Sequence, residues 1–265
     1  MEISEIFGKL WRGFIVQNPK AHEIYSLLQQ EEGQIFNDHI ALRTFNHPSV
    51  NIERLSEIFL DAGYYYGGIY NFKKKKLNAV HLEHPRNDVP LVFISELRLE
   101  ECSEFLRENI SDCILHFESS NNSVEPLLFQ EAPWGLPSYK IYKQLLEESE
   151  YAAWTYAYGY RANHFTVYVN KLKRYNSIEK INMFLKDNGY LLNTSGGEIK
   201  GSKLELLEQS STIAEESLVQ FIEGSYTIPA CFYEFAKRYD DANGRLFRGF
   251  IEASADKIFE STNSR

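Results

Sequence analysis

The sequence predicts an α+β fold made of two β-α-β-β-β modules, with extra helices at the N-terminus and between the modules. The first observation is a repeated strand. Residues 37–45 carry His39 near their start, and residues 162–169 carry His164 in the equivalent place. A helical segment follows each strand and ends at a Gly-Tyr pair, whose glycine comes 24 positions after His39 and 25 positions after His164. Such matched spacing indicates one structural unit that occurs twice.

The composition indicates a folded protein with a large core and argues against some partners. The 265 residues are 43% hydrophobic and 14% aromatic, which suits one large domain or two small ones and not a disordered chain. A formal net charge of −9 weighs against a nucleic-acid or an anionic-membrane partner.

Three cysteines, Cys102, Cys113 and Cys231, are odd in number and lack CxxC spacing, which is typical of a reducing compartment. The N-terminus is acidic where a signal peptide would be basic. No apolar run approaches the roughly 18 residues of a membrane span. We therefore expect a cytoplasmic protein with no membrane partner.

The elements of the first module follow from periodicity and turn residues. Residues 3–32 have helical periodicity, and Asn18-Pro19 divides them into two helices. Residues 51–62 place apolar side chains on one helical face, and Gly63 ends that helix. The three strands that complete this module are predicted at residues 64–72, 77–83 and 91–97.

The basic run Lys73–Lys76 lies between two of these strands. It is predicted as a solvated hairpin turn, and the alternative is a role in steering an anion or a substrate.

Residues 98–160 are predicted to connect the modules and to decorate them. Residues 99–110 and 138–158 have the pattern of helices, and residues 118–124 form a polar loop.

The second module is predicted as a strand at residues 164–170, a helix at 177–188 and strands near 190–195, 204–212 and 227–236. The tail, residues 246–259, is expected to pack back onto the body. We predict a single metalloenzyme domain over residues 1–265 that divides into N-terminal helices, module 1, connecting helices, module 2 and tail: 1–34, 35–97, 98–160, 161–240 and 241–265.

Strand alternation indicates a candidate metal site. His39 shares one strand face with Ala41 and Arg43, and His164 shares one face of the equivalent strand with Thr166 and Tyr168. If these faces line a common concave sheet, the two imidazoles converge. Glu234 lies in an apolar run, where an unpaired carboxylate is costly, and a metal would pair it. Two histidines and one carboxylate form the facial triad of non-haem iron(II) enzymes, and they also suit zinc with one water.

Each of these residues has a simpler alternative. A lone histidine at a strand start is often a hydrogen-bonded structural residue, and Glu234 could pair with Lys237 or Arg238. Arg43 could hold a substrate carboxylate bidentately or form an ordinary ion pair. His81 is the reserve ligand, and Glu96 is the second candidate carboxylate, as the predicted counterpart of Glu234.

Together these residues resemble a known family. The two modules with His, His and Glu on their first, first and last strands are similar to the vicinal-oxygen-chelate superfamily. Within it the chain resembles the 2-oxoadipate dioxygenase/decarboxylase family, also called 2-hydroxyglutarate synthase. The motifs that carry this resemblance are Asn37-Asp38-His39 with Arg43, Asn163-His164-Phe165-Thr166, Phe232-Tyr233-Glu234-Phe235-Ala236 with Arg238, and Phe250-Ile251-Glu252-Ala253-Ser254-Ala255.

The resemblance implies one curved sheet and a defined chemistry. Metal ligation falls on His39, His164 and Glu234, and substrate binding falls on Arg43 and on a backbone contact near Ala253 or Ser254. The implied cofactor is iron(II). The implied reaction converts 2-oxoadipate, a small 2-oxo dicarboxylic acid, and dioxygen to 2-hydroxyglutarate and carbon dioxide, in lysine catabolism.

Two alternatives stay open on the sequence. The first is a zinc- or manganese-dependent hydrolase, isomerase or lyase on the same scaffold. The second is a non-enzymatic protein that binds a small ligand and whose histidine pair is structural. Metal identity and dioxygen consumption separate these alternatives, and the sequence leaves the oligomeric state open.

Overall fold

The computed structural model describes residues 1–120, 127–130 and 132–252, and it begins with the two predicted helices. Helix α1 spans Ile3–Gln17, and helix α2 spans Pro19–Glu32. The buried side chain of Asn18 accepts a hydrogen bond from the backbone N–H of Ala21. Proline at the first helical position loses no hydrogen bond, because that N–H has no partner within the helix. Asn18-Pro19 therefore ends one helix and starts the next.

The first module has the predicted order, with ends that differ from the prediction by at most one residue. Lys73–Lys75 forms a turn of 3-10 helix and Lys76 has a positive φ of 56°, which confirms the predicted hairpin turn. The elements are β1 (Asn37–Phe45), α3 (Ile52–Asp61), β2 (Tyr65–Phe72), β3 (Leu77–Glu83) and β4 (Leu91–Leu97).

The connection between the modules differs from the prediction in three places. Helix α4 spans Glu104–Ser120 and so begins later than the predicted residue 99, because Ser103 caps it by accepting the Leu106 N–H at 3.2 Å. The helix predicted over residues 138–158 is two helices, α5 (Tyr139–Glu148) and α6 (Glu150–Tyr158). Ser149 lies between them and caps α6 through the Ala152 N–H. Helix α4 also continues past its predicted end at residue 110 and includes residues 118–120 of the predicted polar loop, so that part of the loop prediction is wrong. The rest of the predicted loop, residues 121–124, lies outside the described residues.

The second module repeats the first and adds a hairpin. The predicted strand at 190–195 is wrong: only Leu192 forms a bridge there, to Thr212, because Asn193 turns the chain by accepting the Ser195 N–H. The strand predicted at 227–236 is divided after Pro229, which cannot donate to a strand ladder. The elements are β5 (Ala162–Tyr168), α7 (Ile178–Asp187), β6 (Lys200–Ser202), β7 (Leu207–Ser211), the hairpin β8 (Glu216–Phe221) and β9 (Gly224–Pro229), and β10 (Phe232–Arg238).

Eight strands form one curled sheet that places the histidine-bearing strands at its centre. The strand order is β2-β3-β4-β1-β5-β10-β7-β6. Strands β1 and β5 pair antiparallel, and each also pairs in parallel with the last strand of its own module, β4 or β10. The two halves are therefore related by a pseudo-twofold axis between β1 and β5.

Helices cover both faces of this centre. On one face the rings of Trp11 and Phe14 in α1 lie 5.0 and 5.1 Å from the ring of Phe165 in β5. On the other face α6 is fixed to the sheet, since the Tyr151 hydroxyl donates to the Ser95 carbonyl at 2.7 Å. The Trp154 indole donates to the Ala230 carbonyl at 2.5 Å. Because side chains alternate along β5, His164 faces this second side.

The three cysteines are free thiols, as their spacing predicts. In the part of the chain that the structure describes, no helix is long and apolar enough to cross a membrane.

The aromatic contact between α1 and β5 is expected to support the sheet centre. Phe165 is 1% exposed, and the change Phe165→Ala removes its ring from a closed core, so we expect a loss of about 3–5 kcal/mol in the free energy of unfolding. Urea unfolding measures it. The matched control is Val16→Ala in α1, where the side chain is 70% exposed and the change should stay within about 0.5 kcal/mol. Equal losses in both variants would contradict the packing argument.

Candidate metal centre

A β-bulge directly before each histidine places an oxygen atom beside its Nδ1. The register between β1 and β5 shifts at Asp38 on one strand and at Asn163 on the other, so each is an extra residue directly before a histidine. Asp38 Oδ1 lies 2.7 Å from Nδ1 of His39, and Asn163 Oδ1 lies 3.2 Å from Nδ1 of His164. An acceptor at Nδ1 favours the tautomer that carries its proton there, which leaves the Nε2 lone pair for a metal.

The two histidines converge on Glu234. In the parallel pairing of β10 with β5, Glu234 lies opposite Thr166, two positions after His164. The Nε2 atom of His39 lies 3.6 Å from one oxygen of Glu234, and the Nε2 atom of His164 lies 3.2 Å from the other. The three ligand atoms lie within 4.8 Å of one another, and all three residues are buried. This is the compact arrangement that a single ion requires.

The chemistry of these groups fits a divalent cation. Glu234 is 0% exposed, and burial raises the pKa of its carboxyl although His39 and Gln209 oppose the shift. One oxygen accepts from the Gln209 amide at 2.6 Å, whereas the other, Oε2, accepts no hydrogen bond among the described residues. Burial, with the charges of His39 and Arg43, lowers the pKa of His164 well below its usual value. A neutral imidazole beside a carboxylate oxygen without a donor is the set that a metal ion completes.

A second layer of buried charge supports His39. Arg238 donates from Nε and NH2 to the two oxygens of Asp38, at 2.7 and 2.8 Å. Burial alone would raise the pKa of Asp38, but the Arg238 guanidinium and the hydrogen bonds of His39 and Arg238 hold it below its usual range. Asp38 therefore stays ionised, and an ionised acceptor at Nδ1 orients the imidazole and increases its basicity as a ligand.

Arg43 lies on the same face of the sheet in an aromatic enclosure. Its guanidinium carbon lies 5.0 Å from the ring centre of Tyr151 and 5.1 Å from that of Trp154. Its NH1 donates to Glu150 at 2.9 Å. Arg43 is 1% exposed, whereas the Glu150 side chain is 19% exposed and keeps some contact with water. Helix α6 thus holds a buried guanidinium near the histidine pair.

The structure brings together the three predicted metal ligands and places Arg43 near them. The simple pairings proposed for Glu234 are not made, because Arg238 pairs with Asp38 and Lys237 donates to the Asn176 carbonyl. Sequence reasoning missed the roles of Asp38, Gln209 and Glu150. Asp38 directly precedes His39, but the alternation of a regular strand places neighbours on opposite faces, so only the bulge reveals that contact.

Two second-choice residues lie outside the cluster. His81 is hydrogen-bonded to Tyr70 at 2.9 Å and to Glu83 at 3.1 Å. Glu96 accepts from the Ile52 N–H at the start of α3. The expectation that Glu96 is the counterpart of Glu234 is wrong. Because His39 pairs with Leu91 as His164 pairs with Phe232, the residue equivalent to Glu234 is Phe93. The predicted substrate contacts Ala253 and Ser254 lie outside the described residues.

Comparisons with known proteins agree on one family. A family model described as 2-oxoadipate dioxygenase/decarboxylase matches residues 15–128 and 118–247. A rice protein, the chloroplastic/amyloplastic 2-oxoadipate dioxygenase/decarboxylase of Oryza sativa subsp. japonica, is 36% identical over 284 residues. That alignment covers 98% of this chain and 78% of the relative.

Two crystal structures superpose over almost the whole chain. Hydroxyglutarate synthase from Oryza sativa in complex with 2-oxoadipate has a TM-score of 0.90 and 33% identity, and the match covers 98% of this chain and 91% of that chain. A protein from Shewanella frigidimarina, provisionally named a hydrolase, has a TM-score of 0.90 and 46% identity, with 95% and 98% covered.

The buried carboxylate gives a test that separates metal binding from folding. Since burial raises the pKa of Glu234, metal-free protein loses stability as the pH rises from the ordinary glutamate pKa of 4.5 to the raised value, and the loss persists above it. Glu234→Gln is therefore expected to stabilise metal-free protein at pH 7 by about 1 kcal/mol or more, and to lose the stabilisation that an added divalent ion gives the wild type. Below about pH 4.5, the ordinary pKa of a glutamate, the gain should vanish because the carboxyl is protonated in both states.

Thermal unfolding with chelator and with added zinc or cobalt measures both effects. Glu216→Gln on β8 is the matched control, because that side chain is exposed and should change neither. A metal-free Glu234→Gln protein that is less stable than the wild type at pH 7 would contradict the argument.

Proposed function

Since this chain belongs to the 2-oxoadipate dioxygenase/decarboxylase family, we propose that it converts 2-oxoadipate and dioxygen to 2-hydroxyglutarate and carbon dioxide with iron(II). The observation that carries the proposal is the buried cluster of His39, His164 and Glu234, whose ligand atoms lie within 4.8 Å of one another. Two neutral imidazoles and one carboxylate are the facial triad that leaves adjacent positions for ligands other than protein.

The protein residues supply the ligands, their orientation and a dry environment. His39 and His164 would hold the ion through Nε2, with their Nδ1 atoms fixed by Asp38 and Asn163. Glu234 would bring one negative charge, and Gln209 holds its second oxygen in place. When bound, iron(II) supplies the redox chemistry with dioxygen that amino-acid side chains lack. Burial of all three ligands excludes bulk water, which protects an oxidative reaction from side reactions.

We assign the distal carboxylate of the substrate to Arg43. A guanidinium presents paired N–H donors that match a carboxylate, and this one is held between Tyr151 and Trp154 before any substrate arrives. Without substrate, Glu150 accepts a hydrogen bond from NH1 of Arg43 and balances the buried positive charge. An anionic substrate would share or displace this contact. A fixed contact to the distal carboxylate decides which carbon of the substrate faces the ion. Arg43 would therefore set both the affinity for the substrate and the site of reaction.

The proposal extends to the location of the protein and to its pathway. A cytoplasmic location is favoured by three free thiols, although the rice relative is named as a plastid protein. A place in lysine catabolism follows only from the resemblance.

One alternative has a specific observation in its favour. The Shewanella protein, at 46% identity, is provisionally named a hydrolase. The same three ligands could hold zinc or manganese with a water, and such an enzyme would consume no dioxygen.

Dioxygen uptake by anaerobically iron(II)-loaded protein distinguishes these functions. With 2-oxoadipate we expect uptake matched by formation of 2-hydroxyglutarate, and at least a hundredfold loss in His164→Ala, because one of three ligands is missing. The matched control is His22→Ala, an exposed histidine on α2, which should retain full activity. If bound iron gives no uptake with this or other 2-oxo acids, the hydrolytic alternative takes precedence.

Substrate choice tests the assignment of Arg43. For Arg43→Lys and Arg43→Ala we expect kcat/KM for 2-oxoadipate to fall roughly 30-fold or more, since truncating a buried charge pair typically costs 2 kcal/mol or more. The control substrate is 2-oxohexanoate, which has the same chain length and no distal carboxylate, and its kcat/KM should change little. Glu150 retains contact with water after either change, which limits structural damage. Equal losses on both acids would remove the role of Arg43 in specificity.

A further inference from the structure

The segment Phe247–Phe250 follows β10 and returns to the metal centre, where Arg238 holds it. Arg238 NH1 donates to the Gly249 carbonyl at 2.8 Å and to the Phe247 carbonyl at 3.3 Å. The guanidinium carbon also lies 5.1 Å from the ring centre of Phe250. The remaining donors of the same guanidinium form the bidentate pair with Asp38. One buried side chain therefore contacts the returning segment and the carboxylate that orients a ligand.

The segment is linked to the metal ligand His39 by one indirect and one direct route. The first runs from the Gly249 carbonyl through Arg238 and Asp38 to Nδ1 of His39. The second is direct, because the rings of Phe250 and His39 lie 4.8 Å apart at an interplanar angle of 87°. The positions of the segment and of the imidazole are thus set by shared contacts.

A second network holds the same segment without touching a metal ligand. The Phe250 N–H donates to the Tyr70 hydroxyl at 3.0 Å, and that hydroxyl is hydrogen-bonded to His81. Arg248 pairs with Glu83 at 2.5 Å, and Glu83 also contacts His81. This network anchors the segment to β2 and β3. Changes in this network alter how firmly the segment is held without altering the contacts of Arg238 with Asp38, so they serve as controls for the role of Arg238.

We propose that Arg238 is a positioning residue that couples docking of segment 247–250 to metal binding at His39. Docking fixes the guanidinium through two carbonyls, and the fixed guanidinium holds Asp38 in line with Nδ1 of His39. A bound ion in turn fixes the imidazole and therefore the pair behind it. Because such coupling is reciprocal, the ion must stabilise the docked segment as much as the segment favours the ion. The proposal rests on the metal centre of the proposed function and not on its reaction.

Two measurements on intact protein test the coupling without an activity assay. Zinc or cobalt affinity is measured by competition with a chelator. Amide hydrogen exchange of the peptide that contains residues 247–250 is followed by mass spectrometry with and without the ion. In the wild type we expect the ion to slow exchange of this peptide. In Arg238→Gln we expect affinity to fall about 10–100-fold, as for other groups that orient a ligand, and the protection by the ion to disappear.

Arg248→Gln is the matched control because it removes a cation from the same segment but leaves Asp38 and His39 untouched. Its segment should exchange faster with and without the ion but remain docked most of the time, so that metal affinity stays within about twofold and the ion still slows exchange. Arg238→Lys should lie between, since one ammonium can pair with Asp38 but cannot also span both carbonyls.

Unchanged affinity in Arg238→Gln, or protection by the ion that persists there, would overturn the coupling while leaving the metal centre intact. A wild-type protein that binds neither ion would overturn the metal centre and this proposal together. If Arg238→Gln does not fold, the same two measurements on Arg238→Lys decide: unchanged affinity and protection overturn the proposal, and a partial loss of both supports it.

Discussion

A carboxylate buried between two imidazoles is the constraint on which the rest of the site depends. Glu234 has no exposure, and one of its oxygens receives no hydrogen bond among the described residues. Removing a charge from water in this way is costly unless an opposite charge compensates it. Neighbouring groups do so only in part: His39 and Gln209 oppose the rise in the pKa of Glu234 but do not cancel it, Arg238 is paired with Asp38, and the pKa of His164 is lowered well below its usual value. The protein thus accepts a local electrostatic cost that a divalent ion relieves.

The sheet topology determines how the three ligands meet. Pairing β1 with β5 antiparallel at the centre brings equivalent strands of the two modules together, and a bulge before each histidine puts an acceptor on its Nδ1. The two acceptors differ, however. Asp38 is ionised and buried against Arg238, whereas Asn163 is neutral. The modules therefore provide one imidazole oriented by an ionised acceptor at 2.7 Å and one held by a longer contact to a neutral amide at 3.2 Å.

The sequence predicts the first module and the convergence of His39, His164 and Glu234 well because these depend on local signals. Periodicity, Asn18-Pro19 and Gly63 mark the helix ends, and the repeated spacing places His39 and His164 in equivalent strands. Some failures involve local helix caps, and others involve long-range strand pairing. In the sequence Ser149 fits the pattern of one continuous helix, and only the structure shows that it caps α6. The division after Pro229 depends on the pairing of β9 with β8 and not with the large sheet. The Glu96 error has the same origin, because only the register between β1 and β4 shows that Phe93 is equivalent to Glu234.

That last difference explains why the described part of this duplicated scaffold brings together one cluster of candidate ligands and not two. At the position where module 2 supplies the carboxylate of Glu234, module 1 supplies Phe93, whose ring lies 4.9 Å from that of Phe250. Phe250 in turn packs against His39. A phenyl ring at this position avoids a second buried negative charge, which the same ion would also have to compensate. It also gives the returning segment an aromatic surface to pack against. One half of the pseudo-symmetric sheet supplies the third candidate ligand, and the other half supplies a ring that packs against Phe250 beside His39.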